Sequence, residues 1–105
     1  MNTITLPIYR RNGEKILTMV SDNKKKLLED YVLLLSSLNY VICYKRGSKP
    51  RKIFSLAGLL KQCPKGMRTH HKDQNLLNNT DDNLVVLTPK QHGQIHHDLR
   101  NMLYS

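Results

Sequence analysis

The sequence has few of the side chains that fill a large core or build a disulfide framework. Its 105 residues include no Trp, one Phe and two cysteines, Cys43 and Cys63. A core of modest size must therefore be built mainly from Leu, Ile, Val and Tyr. The cysteines lie twenty residues apart and form no Cys-x-x-Cys pair of the kind used in zinc knuckles and redox sites. We therefore expect reduced, buried thiols.

Long apolar runs are also scarce. The most apolar stretch, residues 31–44, is 14 residues long and contains Ser36, Ser37 and Asn39. A membrane-crossing helix needs about 20 apolar residues, and the N-terminus lacks the apolar region of a signal peptide. We therefore expect one soluble domain over residues 1–105, in a cytoplasmic setting and without a membrane partner.

Acidic residues are absent between residues 31 and 72, and the whole chain carries a net charge of +9. A solvated surface usually mixes both signs, so this stretch favours a polyanion. Nucleic acid is the first candidate and an anionic membrane surface the weaker one. The Lys triplet at 24–26 is more typical of a solvated helix end. The basic residues of the acid-free stretch are Lys45, Arg46, Lys49, Arg51, Lys52, Lys61, Lys65, Arg68 and Lys72.

The first forty residues predict a hairpin and a helix. Residues 3–10 and 15–20 are rich in β-formers and flank the turn dipeptide Asn12-Gly13, which is typical of a hairpin. Ser21 or Asp22 can cap a helix that follows. Helical spacing of apolar side chains extends that helix to residue 38. The apolar positions are Leu27, Tyr31, Leu34, Leu35 and Leu38.

The middle of the chain predicts a basic hairpin and a short helix. Residues 40–44 and 52–54 are typical of strands, and the turn residues at 47–50 lie between them. A helix over 56–62 can be capped by Ser55, and Pro64-Lys65-Gly66 then breaks the chain.

The last forty residues predict a strand, a loop, a strand and a helix. The first strand covers residues 67–71, the Asn- and Asp-rich loop covers 72–83, and residues 84–87 form the second strand. Thr88 can cap the helix, with Pro89 at the first helical position and Gln91 completing a capping box. We expect this helix to continue to about Met102.

All five histidines lie between residues 70 and 97, close to the predicted helix and strand end. His92 and His96 are four residues apart on the helix, so their rings can reach one cation. The apolar residues Ile95, Leu99 and Leu103 share their face, so we expect this face to point inward and the polar rings to need a partner. His97 lies one position round the helix and is more typical of a solvent-facing residue than of a ligand.

Combined, these features carry a family resemblance. Asn83 follows His71 by twelve residues, and His92 and His96 follow Asn83 by nine and thirteen. The stretch HHKDQNLLNNTDDNLVVLTPKQHGQIHH resembles the HNH (ββα-metal) nuclease motif, most closely that of small phage and intron-encoded homing endonucleases. The order of elements before it, which includes NGEKILTMVSD and PKGM, is similar to the N-terminal half of those enzymes.

The resemblance implies an α+β fold, in which a small β-hairpin and helix part precedes a ββα-metal (His-Me finger) motif. Within a single domain, residues 1–66 would be the basic part that contacts DNA, and residues 67–105 the catalytic motif. The implied reaction is hydrolysis of DNA phosphodiester bonds, leaving a 5′-phosphate and a 3′-hydroxyl. A monomer or homodimer, in the bacterial host of a phage or mobile element, fits this family.

The resemblance also implies a role for each motif residue. His71 matches the general base, and Asn83 matches the residue that fixes the loop and orients that base. One divalent cation (Mg²⁺, Mn²⁺ or Zn²⁺) would be held by His70, His92 and His96. The residues expected to bind nucleic acid are Lys45, Arg46, Lys49, Arg51, Lys52, Arg68 and Lys72.

Two other functions stay open. The chain is alternatively a non-catalytic DNA-binding or packaging accessory protein, in which a metal only stabilises a small fold, or a nuclease directed at RNA. A purely structural site has no use for a base beside its ligands, so His71 separates the first alternative from an enzyme. The loop residues more typical of turns than of ligands are Asp73, Asn75, Asn78, Asn79, Asp81 and Asp82.

Overall fold

The predicted N-terminal hairpin is confirmed in the computed structural model, which describes residues 2–94. Strand β1 (Thr3–Tyr9) pairs antiparallel with β2 (Lys15–Ser21), in a register that runs from Thr3 opposite Ser21 to Tyr9 opposite Lys15. Gly13 closes the turn with a φ of 89°, a left-handed conformation that glycine adopts without a steric penalty. Its N–H donates to the Arg10 carbonyl at 2.9 Å.

The predicted helix from residue 21 to residue 38 is wrong over most of its length. A 3₁₀ turn (Asp22–Lys24) and the short helix α1 (Lys25–Leu28) are followed by strand β3 (Tyr31–Leu35). An unbroken apolar run matches the helical and the strand period equally, so spacing alone could not decide. The strand forms because the whole run pairs antiparallel with β4 (Val41–Lys45), which satisfies its backbone groups in a ladder.

The middle of the chain follows the prediction with shifted boundaries. Strand β4 is confirmed, whereas the returning strand β5 (Phe54–Ser55) is shorter than predicted and displaced towards the helix. Helix α2 (Leu56–Leu60) begins at the predicted cap, where Ser55 Oγ accepts from the Gly58 N–H at 3.0 Å. The helix ends before Gln62, which has a φ of 49°.

Two sheets carry the described strands. The larger has the order β5-β4-β3-β1-β2-β7, where β7 (Asn78–Asn79) pairs parallel with β2. The smaller joins β6 (Arg68–His71) antiparallel to β8 (Leu84–Leu87), as the sequence predicted. The loop between β6 and β8 therefore contains a strand that turn chemistry did not predict, and this strand joins the edge of the N-terminal hairpin.

One apolar core connects the two sheets. Leu84 of β8 packs in the same cluster as residues of the N-terminal hairpin and of α2. No helix within residues 2–94 has the length and apolar content that crossing a membrane requires. Buried members of the core are Ile8, Val20, Leu28, Val41, Cys43, Leu56, Ala57, Leu60 and Leu84.

Both cysteines are free thiols, as expected, but they differ in exposure. Cys43 is fully buried in the core, and Cys63 is half-buried. Burial raises the pKa of the Cys43 thiol to about 11, because desolvation disfavours the thiolate. The thiolate is the reactive form, so at pH 8 the Cys43 side chain is held in its unreactive thiol form.

We therefore predict that iodoacetamide at pH 8 modifies one thiol of the native chain, Cys63, and both thiols after denaturation. Mass spectrometry of the digested chain measures this. The variant Cys63→Ser serves as the control, because it leaves Cys43 as the only thiol and should stay unmodified until it unfolds. Native labelling of Cys43 at the rate of Cys63 would contradict the buried position.

Candidate active site

The site begins at the end of β6, where two adjacent histidines occupy different environments. His71 is buried with 8% of its surface exposed, whereas His70 is only partly buried. Neighbouring residues on a strand point to opposite faces, and the register holds both in place, with His70 opposite Val85 and His71 opposite Leu84. The two rings are therefore suited to different tasks.

A capping box places the third histidine. The Thr88 N–H donates to Gln91 Oε1 at 2.9 Å, and the Gln91 N–H donates to Thr88 Oγ1 at 3.2 Å. The chain is helical over residues 89–94, and the His92 N–H donates to the Thr88 carbonyl at 2.9 Å. This helix, α3, starts as predicted, and its cap fixes His92 in the first turn. The predicted continuation to Met102, which carries His96 and His97, lies outside the described residues.

The rings of His70 and His92 lie close together, with centroids 6.0 Å apart and planes at 81°. Two imidazoles that bind one ion through nitrogen atoms at about 2 Å have centroids about 5 to 6 Å apart. The separation of the two rings lies within this range, so His70 and His92 could each supply a ligand to one transition-metal ion. Within residues 2–94 no three His, Cys, Asp or Glu side chains form a metal-binding group. The third ligand expected from the sequence, His96, lies outside these residues.

The ring of His71 is tied to a buried polar network that the sequence did not predict. His71 Nε2 and Asn79 Oδ1 are hydrogen-bonded at 2.8 Å. Asn79 Nδ2 donates to Thr18 Oγ1 at 2.9 Å and to the Leu76 carbonyl at 3.2 Å, and the Thr18 hydroxyl donates to the Leu77 carbonyl at 2.8 Å. Asn79 is 1% exposed and Thr18 is fully buried. The N-terminal hairpin thus contributes to the surroundings of His71.

Asn83 joins the two ends of the loop between β6 and β8. Its Oδ1 accepts from the Asp73 N–H at 3.0 Å, and its Nδ2 donates to Asp73 Oδ1 at 2.9 Å and to the Asn78 carbonyl at 2.7 Å. Its own carbonyl accepts from the Lys72 N–H at 2.8 Å. Asn83 therefore joins the two ends of the loop, whereas the side chain bonded to the His71 ring is Asn79.

Asp73 stabilises the loop between β6 and β8 through hydrogen bonds, as predicted from the Asn- and Asp-rich sequence of that loop. Its Oδ2 accepts from Asn78 Nδ2 at 2.8 Å, and its Oδ1 accepts from the Asn75 N–H at 2.8 Å. The hydrogen bond from the Asn78 side chain, followed by that from the Asn75 backbone, lowers the pKa of the Asp73 carboxyl, with smaller contributions from Asn83 and His71. The carboxylate is thus committed to the loop that carries Asn79.

A cavity of about 630 Å³ lies beside these histidines. His71 and His92 line one part of it, and the side of α2 and the segment before β6 line another. Two aromatic residues, Tyr40 and Phe54, and two basic residues, Lys65 and Arg68, also border it. The cavity therefore places basic and aromatic side chains next to the histidines. Such side chains can contact phosphate groups and stack on flat rings.

All seven basic residues predicted to bind nucleic acid are exposed. Two of them are held above aromatic rings: the Arg51 guanidinium lies 4.5 Å from the Tyr44 ring centroid, and Lys52 Nζ lies 5.3 Å from that of Phe54. Arg46 Nε donates to the Glu29 carbonyl at 3.3 Å. Arg68 and Phe54 line the cavity beside the histidines, whereas Arg46, Lys49 and Arg51 line a second cleft.

One comparison with known proteins found a match to part of the chain. Residues 61–94 match a family model described as HNH endonuclease. This segment includes His70, His71, Asn83 and His92, and it ends before His96. Searches of curated proteins and of solved structures gave no match to the chain.

The cap of α3 generates a test of how the site is held. We predict that Thr88→Ala lowers the free energy of unfolding by about 1 kcal/mol, because it removes a side-chain cap, and that it weakens Zn²⁺ binding, because His92 lies in the first turn. Urea denaturation and Zn²⁺ titration measure the two effects. Thr88→Ser keeps the hydroxyl and should behave like the native chain, and a loss in both variants alike would show that the cap does not position His92.

Proposed function

We propose that this chain, whose residues 61–94 match a family model described as HNH endonuclease, is a metal-dependent endonuclease that hydrolyses phosphodiester bonds in DNA. The observation that carries the proposal is the placement of His71. Its ring is buried and anchored on one side, borders a cavity, and stands beside the His70–His92 pair. This is the arrangement that a general base beside a metal site requires.

In the proposed reaction, His71 accepts a proton from the water that attacks the scissile phosphorus. A neutral imidazole suits this step because one of its ring nitrogens carries a lone pair that can accept a proton. His70 and His92, with His96 as the third ligand proposed from the sequence, would hold one divalent cation, which when bound supplies Lewis-acid stabilisation of phosphate charge. Asn83 would hold together the two ends of the loop between β6 and β8. The reaction would leave a 5′-phosphate and a 3′-hydroxyl.

The basic residues would hold the DNA backbone on the same surface. The acid-free stretch contributes only positive side chains, and phosphate contacts of this kind supply affinity without reading the base sequence. Arg51 and Lys52 are the strongest candidates, because their positions above aromatic rings reduce the freedom lost on binding. A chain that only binds DNA gives no reason for the buried His71 beside the cavity.

The catalytic role of His71 gives the decisive prediction. We expect His71→Gln to lower the rate of plasmid nicking at least about a hundredfold, since general-base catalysis contributes about 10² to 10⁴. Gln keeps an N–H that can donate to Asn79 but has no basic nitrogen. Supercoiled plasmid with Mg²⁺, Mn²⁺, Zn²⁺ or a chelator is the assay, with circular dichroism and metal content as checks of folding and loading.

His97→Gln makes the same chemical change at a histidine to which the sequence assigns no role, and it should retain activity. Equal scission by the native chain and the folded His71→Gln variant would overturn the proposed base. Absence of scission with every metal, on duplex DNA and on single strands, would favour the accessory DNA-binding protein, and scission of RNA alone would redirect the proposal to an RNA nuclease.

The DNA-binding role of the basic hairpin is tested by salt dependence. We predict that the double variant Arg51→Ala/Lys52→Ala lowers the slope of log Kobs against log salt by about 2, because each phosphate contact contributes about 0.9. Fluorescence anisotropy with a labelled duplex measures the slope. The control Lys25→Ala/Lys26→Ala removes the same charge from α1, where both residues are exposed, and should leave the slope nearly unchanged. Equal effects of the two variants would contradict a localised contact.

A further inference from the structure

We propose that Asn79 and Thr18 are positioning residues that hold the ring of His71 in the tautomer with its proton on Nε2, so that Nδ1 is the nitrogen that acts as the base. The inference rests on the proposed function for its catalytic consequence. The tautomer itself follows from the hydrogen bonds among three buried side chains, His71, Asn79 and Thr18.

The direction of each hydrogen bond is set by groups that can only accept. The Thr18 hydroxyl has one proton, which it donates to the Leu77 carbonyl at 2.8 Å. Thr18 Oγ1 is therefore an acceptor towards Asn79 Nδ2, which lies 2.9 Å away. The Leu76 carbonyl, 3.2 Å from the same Nδ2, can also only accept. Both contacts require the NH₂ group of Asn79 to face them.

This orientation leaves Asn79 Oδ1 facing His71. An amide oxygen has no proton, so the 2.8 Å hydrogen bond between Oδ1 and His71 Nε2 requires the proton on Nε2. In a neutral imidazole the other nitrogen, Nδ1, then carries the lone pair. The opposite tautomer would place a lone pair on Nε2 against the Oδ1 lone pairs of a side chain that is 1% exposed.

Backbone pairing keeps the network in place. Strand β7 pairs with β2 so that Asn79 lies opposite Val20, and the Met19 N–H donates to the Leu77 carbonyl at 2.8 Å. The Leu77 carbonyl therefore accepts from both Met19 and Thr18. A third contact, from the Asp81 N–H to Ser21 Oγ at 2.9 Å, attaches the end of the loop to the same strand. The hairpin thus determines where the Asn79 amide stands.

Buried polar side chains without partners are costly, so the network favours one arrangement strongly. Removing the Thr18 hydroxyl leaves the Leu76 carbonyl, 3.2 Å from Asn79 Nδ2, as the remaining acceptor that orients the amide. The preference for this orientation, and with it the preference for the tautomer protonated at Nε2, is then weaker. Loss of such a supporting partner typically costs about 10- to 100-fold in activity. The effect should fall on kcat, because neither Thr18 nor Asn79 is placed to touch DNA.

The test is nitrogen-15 NMR of the ring of His71 in the full-length chain at pH 8, with and without Zn²⁺. We expect the two-bond nitrogen–proton pattern of the tautomer protonated at Nε2. His71→Gln assigns the signals by their disappearance. A His71 ring protonated at Nδ1 would overturn the inference, whatever the chain cleaves. The spectrum is independent of activity, so a chain that cleaves no DNA refutes the proposed function without altering this result.

Matched variants test the role of the network. Thr18→Val removes the hydroxyl at nearly constant volume, and we expect signals of both tautomers, together with a fall in kcat of about tenfold and little change in KM. Thr18→Ser restores the hydroxyl and should restore both the spectrum and kcat. An unchanged spectrum and kcat in a folded Thr18→Val chain would overturn the positioning role. If Thr18→Val fails to fold, the positioning role is tested by comparing the spectrum of the native chain with that of Thr18→Ser. A change of tautomer in a Thr18→Ser chain of native stability would also overturn the positioning role.

Discussion

The hydrogen bonds of one buried amide, Asn79, hold the candidate site together. The side chain is 1% exposed, and each of its polar atoms meets a partner: a histidine ring, a hydroxyl and a backbone carbonyl. A buried polar group that loses its partner costs about 1 to 3 kcal/mol, so the arrangement that satisfies all three contacts is favoured over one that leaves any of them open. Since the partners come from β2, β6 and the loop between β6 and β8, one side chain fixes the relative position of three segments.

The histidines are held by two kinds of structure that differ in range along the chain. His92 depends on a capping box closed within four residues, from Thr88 to Gln91. His71 depends on the pairing of β7 with β2, which brings Asn79 to Thr18 across 61 positions. Local hydrogen bonds can form in a short segment, whereas the distant pairing exists only once the hairpin and loop have docked. The surroundings of His71 are therefore a property of the whole fold.

This difference explains what the sequence could predict. The strand end at His70 and His71, the cap at Thr88 and the hairpin at Asn12-Gly13 have local signatures and were predicted. Asn79 was assigned to the turn, because an Asn among several in a polar loop carries no signal that distinguishes it from its neighbours. Thr18 lies in a strand whose side chains alternate between the two faces of the sheet, and its buried position follows that alternation. Nothing in the sequence therefore indicated that its hydroxyl contacts Asn79. The helix predicted through Tyr31–Leu35 failed for a related reason, because pairing with Val41–Lys45 outweighs local spacing.

The sequence predicted a basic part over residues 1–66 and a catalytic motif over residues 67–105. The hydrogen bonds around His71 include residues from both parts. The family match starts at residue 61, yet the hydroxyl that orients the Asn79 amide belongs to Thr18, far outside that match. The core follows the same pattern, because Leu84 of the second sheet packs with Ile8 and Val20 of the first hairpin. A segment limited to residues 61–94 would keep the hydrogen bond between His71 and Asn79 but lose the Thr18 hydroxyl and the pairing with β2 that hold the Asn79 amide. The N-terminal hairpin is thus a structural part of the site, and the basic β4–β5 region lies at the opposite edge of the same sheet, so a single sheet supports both the proposed chemistry and the proposed binding surface.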